Sequence, residues 1–250
     1  MKAIIIAAGM GSRLGKLTND IPKPLIEING KSILERQISS FNRCGISEIV
    51  VITGYKSERF TIKNIKYIFN PLFAEVEQAH SFLTAREELN DDVIISFGDI
   101  IFEDKILKQI LEVESDIVLG VDYGWKKSYQ NRTDNPPNMS DFVAIKNKKI
   151  VKLFRKSTEF DNNTIVAEFS GLFKITSESL EKLIKIYDRL ESNHRGRFHF
   201  ADSLKKAKII DILQELLENN FDIQAVNLEG KWVEIDTPND LEIAKTVFNE

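Results

Sequence analysis

The sequence predicts an α/β domain: a mostly parallel, twisted sheet with helices on both faces, and a smaller hairpin-and-helix insert at one side. Three observations carry that prediction. Apolar runs bounded by turn residues recur through the first half of the chain: AIIIA (3–7), EIVVITG (48–54), IKYIF (65–69), DVIISFG (92–98) and DIVLGVDY (116–123). Helical patterns lie between several of them, clearest in SILERQISSF, where Ile33, Leu34, Ile38 and Phe41 share one face. The opening run ends in a glycine turn, AAGMGSR (7–13), at a strand's carboxyl end, where such sheets meet their ligands.

Each later segment fits that plan or marks the insert. GWKKSYQNRTDNPPNMS (124–140) is polar and carries the Pro136–Pro137 pair, which stops regular structure. DFVAIKNKKIVKLFRK (141–156) reads as two short strands joined by a polar turn, and AEFSGLFKI (167–175) as a further strand. A helix is expected from about Ser177 to Leu190, and an amphipathic one within LKKAKIIDILQELLENN (204–220). QAVNLEGKWVEID (224–236) reads as one strand. TPNDLEIAKTVF then opens as a capped helix, with Thr237 as N-cap and Pro238 in the first turn. A single domain over 1–250 is expected, with an insert or lid at roughly 124–205.

Composition narrows the function. At 250 residues and 42% hydrophobic content the chain can bury a large core. A net charge of −4 gives no global footprint for nucleic acid or an anionic membrane. Cys44 is the only cysteine, so neither an internal disulfide nor a thiolate metal cluster is available, as suits a reducing compartment. MKAIIIAAGM begins like a signal peptide, but its apolar stretch is short, breaks at Gly9 and is followed by Arg13 and Lys16. No stretch approaches the ~18 apolar residues that cross a bilayer. The expectation is a soluble cytoplasmic protein without membrane insertion.

The glycine turn raises a phosphate-binding hypothesis. Glycine lets backbone N–H groups approach a ligand closely, and Arg13 adds a planar fork of donors suited to phosphate. The Gly-Lys-Ser/Thr of a P-loop is absent, and Leu14 stands where a dinucleotide fingerprint needs its third glycine. A bare GxG is equally well a tight turn. Two carboxylates could hold a divalent cation: Asp99, after a glycine at the end of a buried strand, and Asp236, with Glu234 two residues away on the same strand face. Asp236 would also suit the helix cap, and spacing alone does not pair it with Asp99. Trp125, Tyr129 and Trp232 could surround a cationic headgroup, or simply pack. His80 has no partner at useful spacing and reads as packing. HRGRFHF (194–200) is a small basic patch, open to an acidic substrate or simply solvated.

The stretch AAGMGSRLGKLTNDIPKPLIEINGKSIL closely resembles the start of sugar-phosphate and phosphocholine-type nucleotidyltransferases: a GxGxR loop, a leucine-threonine pair, then PK before an apolar strand and a glycine. Gly9, Gly11, Arg13, Leu17, Thr18, Pro22, Lys23 and Gly30 fall into that pattern. The resemblance implies a Rossmann-like, GT-A-like fold. It implies that Ala7, Ala8, Gly9, Gly11 and Ser12 cradle the nucleotide, with Arg13 on the triphosphate and Lys23 near the reacting phosphate as catalytic cations. It also implies that Gly98 borders the nucleotide and that Asp99 and Asp236, from a GD pair and a W-x-EID segment, share magnesium, with Glu234 a secondary ligand. VDYGW, FRK, AEFSGLFKI and IIDILQELLE before KWVEID resemble cytidylyltransferases acting on phosphocholine and aminoalkyl phosphonates. On that resemblance Trp125, Tyr129, Arg132, Lys156 and Glu168 face the acceptor. One departure stands out: in VEQAHSF (76–82) Glu77 replaces an asparagine that often lies four residues before Ser81, leaving Gln78 to take over base or sugar contacts.

The resulting expectation is magnesium-dependent transfer of CMP from CTP to a small phosphorylated or phosphonylated alcohol or amine, such as phosphocholine or 2-aminoethylphosphonate, with release of pyrophosphate. The partners are CTP and that acceptor; no nucleic acid is expected, and a homodimer is left open. A sugar-1-phosphate uridylyl- or thymidylyltransferase is the runner-up. A nucleotide-binding regulatory module without turnover is the alternative of another class.

Overall fold

β1 (Lys2–Ala7) runs through the centre of the main sheet, and its five residues from Ala3 to Ala7 are buried. That is why a strand with no polar face reads as a continuous apolar run. The computed structural model describes residues 1–137, 140–147, 149–155 and 160–249, the side chain of Asn131 apart. After a 3-10 stretch at Ser12–Thr18 come the small hairpin β2 (Glu27–Ile28) and β3 (Lys31–Ser32), and then α1 (Ile33–Arg43). Ser32 and Glu35 close a reciprocal capping box at the start of α1. β4 (Ile49–Thr53), β5 (Lys66–Phe69), α2 (Gln78–Leu83), β6 (Val93–Phe97), β7 (Ile100–Phe102), α3 (Asp104–Leu111), β8 (Ile117–Asp122) and the one-turn α4 (Trp125–Ser128) follow. The chain continues through β9 (Asp141–Lys146), β10 (Lys149–Arg155), β11 (Ile165–Ile175), α5 (Ser177–Asn193), α6 (Ile209–Glu218), β12 (Ile223–Asn227), β13 (Trp232–Glu234) and α7 (Pro238–Val247).

The main sheet joins two halves. β5, β4, β1 and β6 are parallel, with Ile4 between Val50 and Ile95 in register, as the apolar runs predict. The other half is organised by β11, which runs antiparallel to β6, β8 and β9, while β12 lies parallel to β8 and β10 closes the hairpin on β9. β11 changes partners at Gly171. Its φ is +80°, and a Cβ there would lie 2.4 Å from the Phe97 ring, so only glycine lets the strand pass. The amino-terminal half of β11 then carries Glu168 out to the strand ends.

The stretch read as one strand at 224–236 is two. Leu228 makes a last bond to Val121 O, the chain turns through Gly230 against α3, and β13 leaves the main sheet to pair with β7. That break sets Glu234 opposite Ile100 and brings the Ile235 amide to Asp99 O at 2.8 Å. A second apolar cluster ties the parts together: Leu14, Ile26, Ile28, Ile33, Ile101, Ile235, Leu241 and Phe248. It fixes the glycine-turn segment, β7 and α7 against one another, so the chemistry-bearing residues they carry share one frame.

Candidate active site

The glycine turn leaves its donors free. Among the described residues the amides of Gly9, Met10 and Gly11 donate to no protein acceptor. A Cβ at Gly9 would meet nothing within 4 Å, which suits a close ligand approach. Gly11 is required for another reason: its φ is +64°, and a Cβ would lie 2.9 Å from Lys23 Cβ and 3.2 Å from Thr18 Cγ2. Thr18 laces the turn by donating to Gly11 O and Gly15 O, both at 3.2 Å. Ala7 lies within β1, Ala8 O accepts from Tyr55 N at 3.1 Å, and Ser12 and Arg13 are exposed at the mouth. Gly98 serves packing, since a Cβ there would sit 2.9 Å from Ile6 O and 3.0 Å from Pro24 Cγ.

Lys23 is no solvated lysine. It is 8% exposed, and its Nζ donates to Asp99 Oδ2 at 2.9 Å and to Asp236 Oδ1 at 2.5 Å. Arg13 Nη2 reaches Asp236 Oδ2 at 2.7 Å. The two carboxylates that spacing could not pair are thus joined through one ammonium. Asn135, 2% exposed, completes the centre: Arg13 Nη1 donates to its Oδ1 and its Nδ2 donates to Asp236 Oδ2, each at 3.2 Å. Asp99 sits in the β6–β7 turn, which buried Gln37 pins by donating to Phe97 O at 2.8 Å and Ile100 O at 2.6 Å.

Charge is finely opposed here. Burial works against the Asp236 carboxylate, but Lys23 and Arg13 outweigh it and hold its pKa below the ordinary range. Burial likewise works against the Lys23 ammonium, and Asp99 and Asp236 more than reverse it. Glu234 moves the other way, pushed well up by burial and then by repulsion from Asp236 and Asp99. Asp99, Glu234 and Asp236 offer carboxylate oxygens within 4.8 Å of one another, and Asp99 Oδ1 is buried without a hydrogen-bond partner. That oxygen-only donor set, with one oxygen unsatisfied, fits a hard divalent cation such as magnesium.

The side toward the insert is built differently. Glu168, 2% exposed, accepts from Tyr129 OH at 2.5 Å through Oε1, while Oε2 has no partner. Burial raises its pKa to about 7, against the pull of Tyr129 and Arg132. Glu168, Glu234, Asp122, Arg132, Lys231 and Trp232 line a cleft of about 490 Å³. Arg132 is committed within its wall: it lies 4.8 Å over the Tyr129 ring, its Nε donates to Asp240 Oδ1 at 2.8 Å, and its Nη2 reaches Glu234 Oε2 at 3.3 Å. Trp125 does not line the cleft. It packs 4.7 Å from the Phe142 ring, donates Nε1–H to Val166 O at 3.0 Å, and belongs to a satellite core with Phe154 and Phe160. Lys156 lies outside the described residues.

Gln78 and Ser81 separate. Gln78 lines the central cavity from the first turn of α2, whereas the Ser81 hydroxyl accepts from Asn70 Nδ2 at 3.0 Å and donates to Glu77 O at 3.1 Å. His80 packs as expected, with Nδ1 3.3 Å from Tyr187 OH and its pKa lowered by burial. Sequence reasoning missed Asn135, Asp141 and Lys208. All three line the cavity that Arg13, Asp99 and Glu168 share.

Free turn amides, paired cations and strand-end carboxylates on this sheet describe a site for nucleotidyl transfer. Residues 3–126 match the MobA-like NTP transferase domain. Over 256 residues the chain is 31% identical to the CTP:phosphoglutamine cytidylyltransferase of Campylobacter jejuni, covering 97% of this chain and 98% of that protein. A 107-residue stretch is 36% identical to the choline-phosphate cytidylyltransferase of Streptococcus pneumoniae, 41% of this chain and 47% of that one. The inositol-1-phosphate CTP transferase from T. maritima shares the fold, with a TM-score of 0.75 over 98% of this chain and 95% of that chain at 22% identity. Of the longer bifunctional relatives that also match, the chain spans about half the length. The chain belongs to the MobA-like NTP transferase family and is a nucleotidyltransferase. No described helix is long and apolar enough to cross a membrane.

Proposed function

We propose that the protein transfers CMP from CTP to a small phosphorylated acceptor that carries an ammonium group, releasing pyrophosphate. The observation that carries the reading is the convergence of Arg13 and Lys23 on Asp236, with Asp99 on the same ammonium. In-line displacement at the α-phosphorus brings an anionic nucleophile to an anionic centre, so fixed cations beside it lower the barrier. Arg13 and the Gly9–Gly11 amides would hold the triphosphate, and Lys23 would hold charge near the reacting phosphate. Asp99 and Asp236, with Glu234 beside them, would bind magnesium, which supplies further stabilisation of the phosphoryl oxygens. CTP is favoured because the relative matched along nearly its whole length is named for it.

The acceptor's cationic group follows from the cleft. Asp122, Glu168 and Glu234 give it acidic walls, Trp232 an aromatic one, and Lys127, Arg132 and Lys231 leave room for an anionic group on the same acceptor. An amino-acid phosphate carries an ammonium and a carboxylate besides its phosphate, so we rank phosphoglutamine ahead of phosphocholine and 2-aminoethylphosphonate. Pyrophosphate release with CTP, UTP, dTTP and ATP against those three acceptors, inositol-1-phosphate and glucose-1-phosphate tests the assignment. The expected pattern is CTP with an amine-bearing acceptor. Turnover of glucose-1-phosphate with UTP or dTTP alone would put the sugar reading first.

A further inference from the structure

The central cavity has five acidic liners, Asp99, Asp141, Glu168, Glu234 and Asp236, and two basic ones, Arg13 and Lys208. Arg13 is committed to Asp236. Among the described residues Lys208 forms no ion pair, although Asp141 and Arg155 face each other at 3.3 Å next to it. A lysine with five carboxylates around its cavity would be expected to collapse onto one of them. Its backbone is anchored on both sides. The Lys208 amide donates to Asp211 Oδ2 at 2.8 Å, and the other oxygen of that fully buried carboxylate takes Phe200 N at 2.8 Å. The preceding residues are laced to the α2 start, with Glu77 N on Lys205 O at 3.0 Å and Ala79 N on Ala207 O at 3.1 Å. The base of the side chain is fixed while its ammonium makes no ion pair among the described residues, and Asp141 Oδ1, buried without a hydrogen bond, has Arg155 Nε at 3.3 Å as its ion-pair partner.

Resting on the transfer reading above, we propose that Lys208 receives the acceptor's phosphate, the nucleophile of the reaction. On that reading the turn amides and Arg13 serve the triphosphate, while Lys208 lines the cavity with Asp141 and with Glu168 of the insert side. An acceptor phosphate entering among five carboxylates needs a cation that no carboxylate already holds, and of the two basic liners among the described residues Lys208 is the one without an ion pair. One acceptor oxygen bonds to the α-phosphorus, and the bond from that phosphorus to the bridging oxygen breaks. The electron pair departs with pyrophosphate, and Lys208 keeps its proton throughout.

The test uses the full chain with CTP, and with phosphoglutamine, phosphocholine and 2-aminoethylphosphonate as probes. With whichever probe the wild type turns over, Lys208→Met should raise the acceptor KM about 10-fold or more, the scale of one charge-assisted contact. CTP affinity by calorimetry should stay within about twofold, and Lys208→Arg should recover part of the loss. The same headgroup without its phosphate should inhibit wild type and variant equally, which a merely structural role would not produce. An unchanged acceptor KM, a parallel loss of CTP affinity, or weakened inhibition by the bare headgroup would each overturn the proposal while leaving the transfer reading intact. Absence of pyrophosphate release by the wild type with every probe would remove the transfer reading, and this role with it. If Lys208→Met does not fold, Lys208→Gln gives the same comparison.

Discussion

The two walls of the cavity solve opposite problems. On the glycine-turn side every buried charge already has a partner: Lys23 spans Asp99 and Asp236, Arg13 holds Asp236, and Asn135 bridges the last two. Buried carboxylate oxygens without hydrogen bonds occur on both sides, Asp99 Oδ1 on the first and Glu168 Oε2 and Asp141 Oδ1 on the second, but among the described residues only the second also holds a cation without an ion pair, Lys208. A buried polar group without a partner costs free energy, which a bound ligand or ion can offset. The first wall is organised before ligand arrives. On the proposed transfer reading, the second is where the acceptor would supply the missing partner.

The comparison breaks first, and by the largest effect, at the paired wall. Asp99→Asn and Asp236→Asn should each lower turnover by ~100-fold or more, as loss of one group stabilising transition-state charge does. The same changes should leave acceptor-side binding intact, measured as inhibition by the acceptor headgroup. Lys23→Met adds a readout besides activity: it leaves Asp99 without its ion pair and Asp236 with Arg13 alone, a loss of ~3–5 kcal/mol for a broken buried pair. Magnesium should then raise the melting temperature of Lys23→Met more than that of the wild type. Equal shifts would mean that these carboxylates hold no cation.

The insert wall gives a pH signature of its own. Burial lifts Glu168 from 4.5 to about 7, so the folded protein holds its proton more tightly than the unfolded chain. Its stabilisation is therefore full below the ordinary carboxylate value and is lost as pH rises through about 7. Glu168→Gln cannot ionise and escapes that loss. Denaturation at pH 5 and pH 8 should show the wild type losing ~1–3 kcal/mol relative to Glu168→Gln between the two. A constant difference would mean that Glu168 is satisfied and belongs with the first wall.

Arg13→Ala should weaken CTP binding by ~1.5–3 kcal/mol, the worth of a hydrogen bond to a charged group. The glycines divide the same way. Gly9→Val should block CTP by occupying open space, whereas Gly11→Val should act through Lys23, displacing it and lowering the melting temperature as well. Calorimetry with scanning denaturation separates the two; identical behaviour would return both glycines to one role.

The contrast between the walls also marks what the sequence makes legible. Strands of the parallel half, the apolar face of α1 and the Thr237–Pro238 start of α7 are local signals and stand where they are read. Arg13, Lys23, Asp99 and Asp236 are legible as a set only through resemblance, because their meeting depends on β7 pairing β13. The single strand expected at 224–236 fails because apolar alternation carries no mark of the turn that changes sheets at Leu228 to Lys231. Asn135 and Lys208 sit in polar segments and are ordinary as residue types. Their positions come from contacts of the 129–137 segment with the α7 start, and of 205–207 with α2, which no spacing rule reports.

The smallest effect separates the two tryptophans. Both were candidates for an ammonium group, since an aromatic face attracts one, but the fold commits them differently. Trp125 spends its indole N–H on Val166 O and its ring on Phe142 and Tyr129, so its loss opens a hole in a satellite core. Trp232 lies in β13 beside Glu234 and lines the cleft with Asp122 and Glu168. Trp232→Ala should therefore raise the acceptor KM by ~5-fold, about 1 kcal/mol for a half-exposed cation–π contact, with CTP affinity and melting temperature nearly unchanged. Trp125→Ala should instead lower the melting temperature and affect KM only as the insert loosens. The reverse pattern, a KM effect at Trp125 with full stability, would move the headgroup onto the insert's own core and away from the strand that carries the acidic centre.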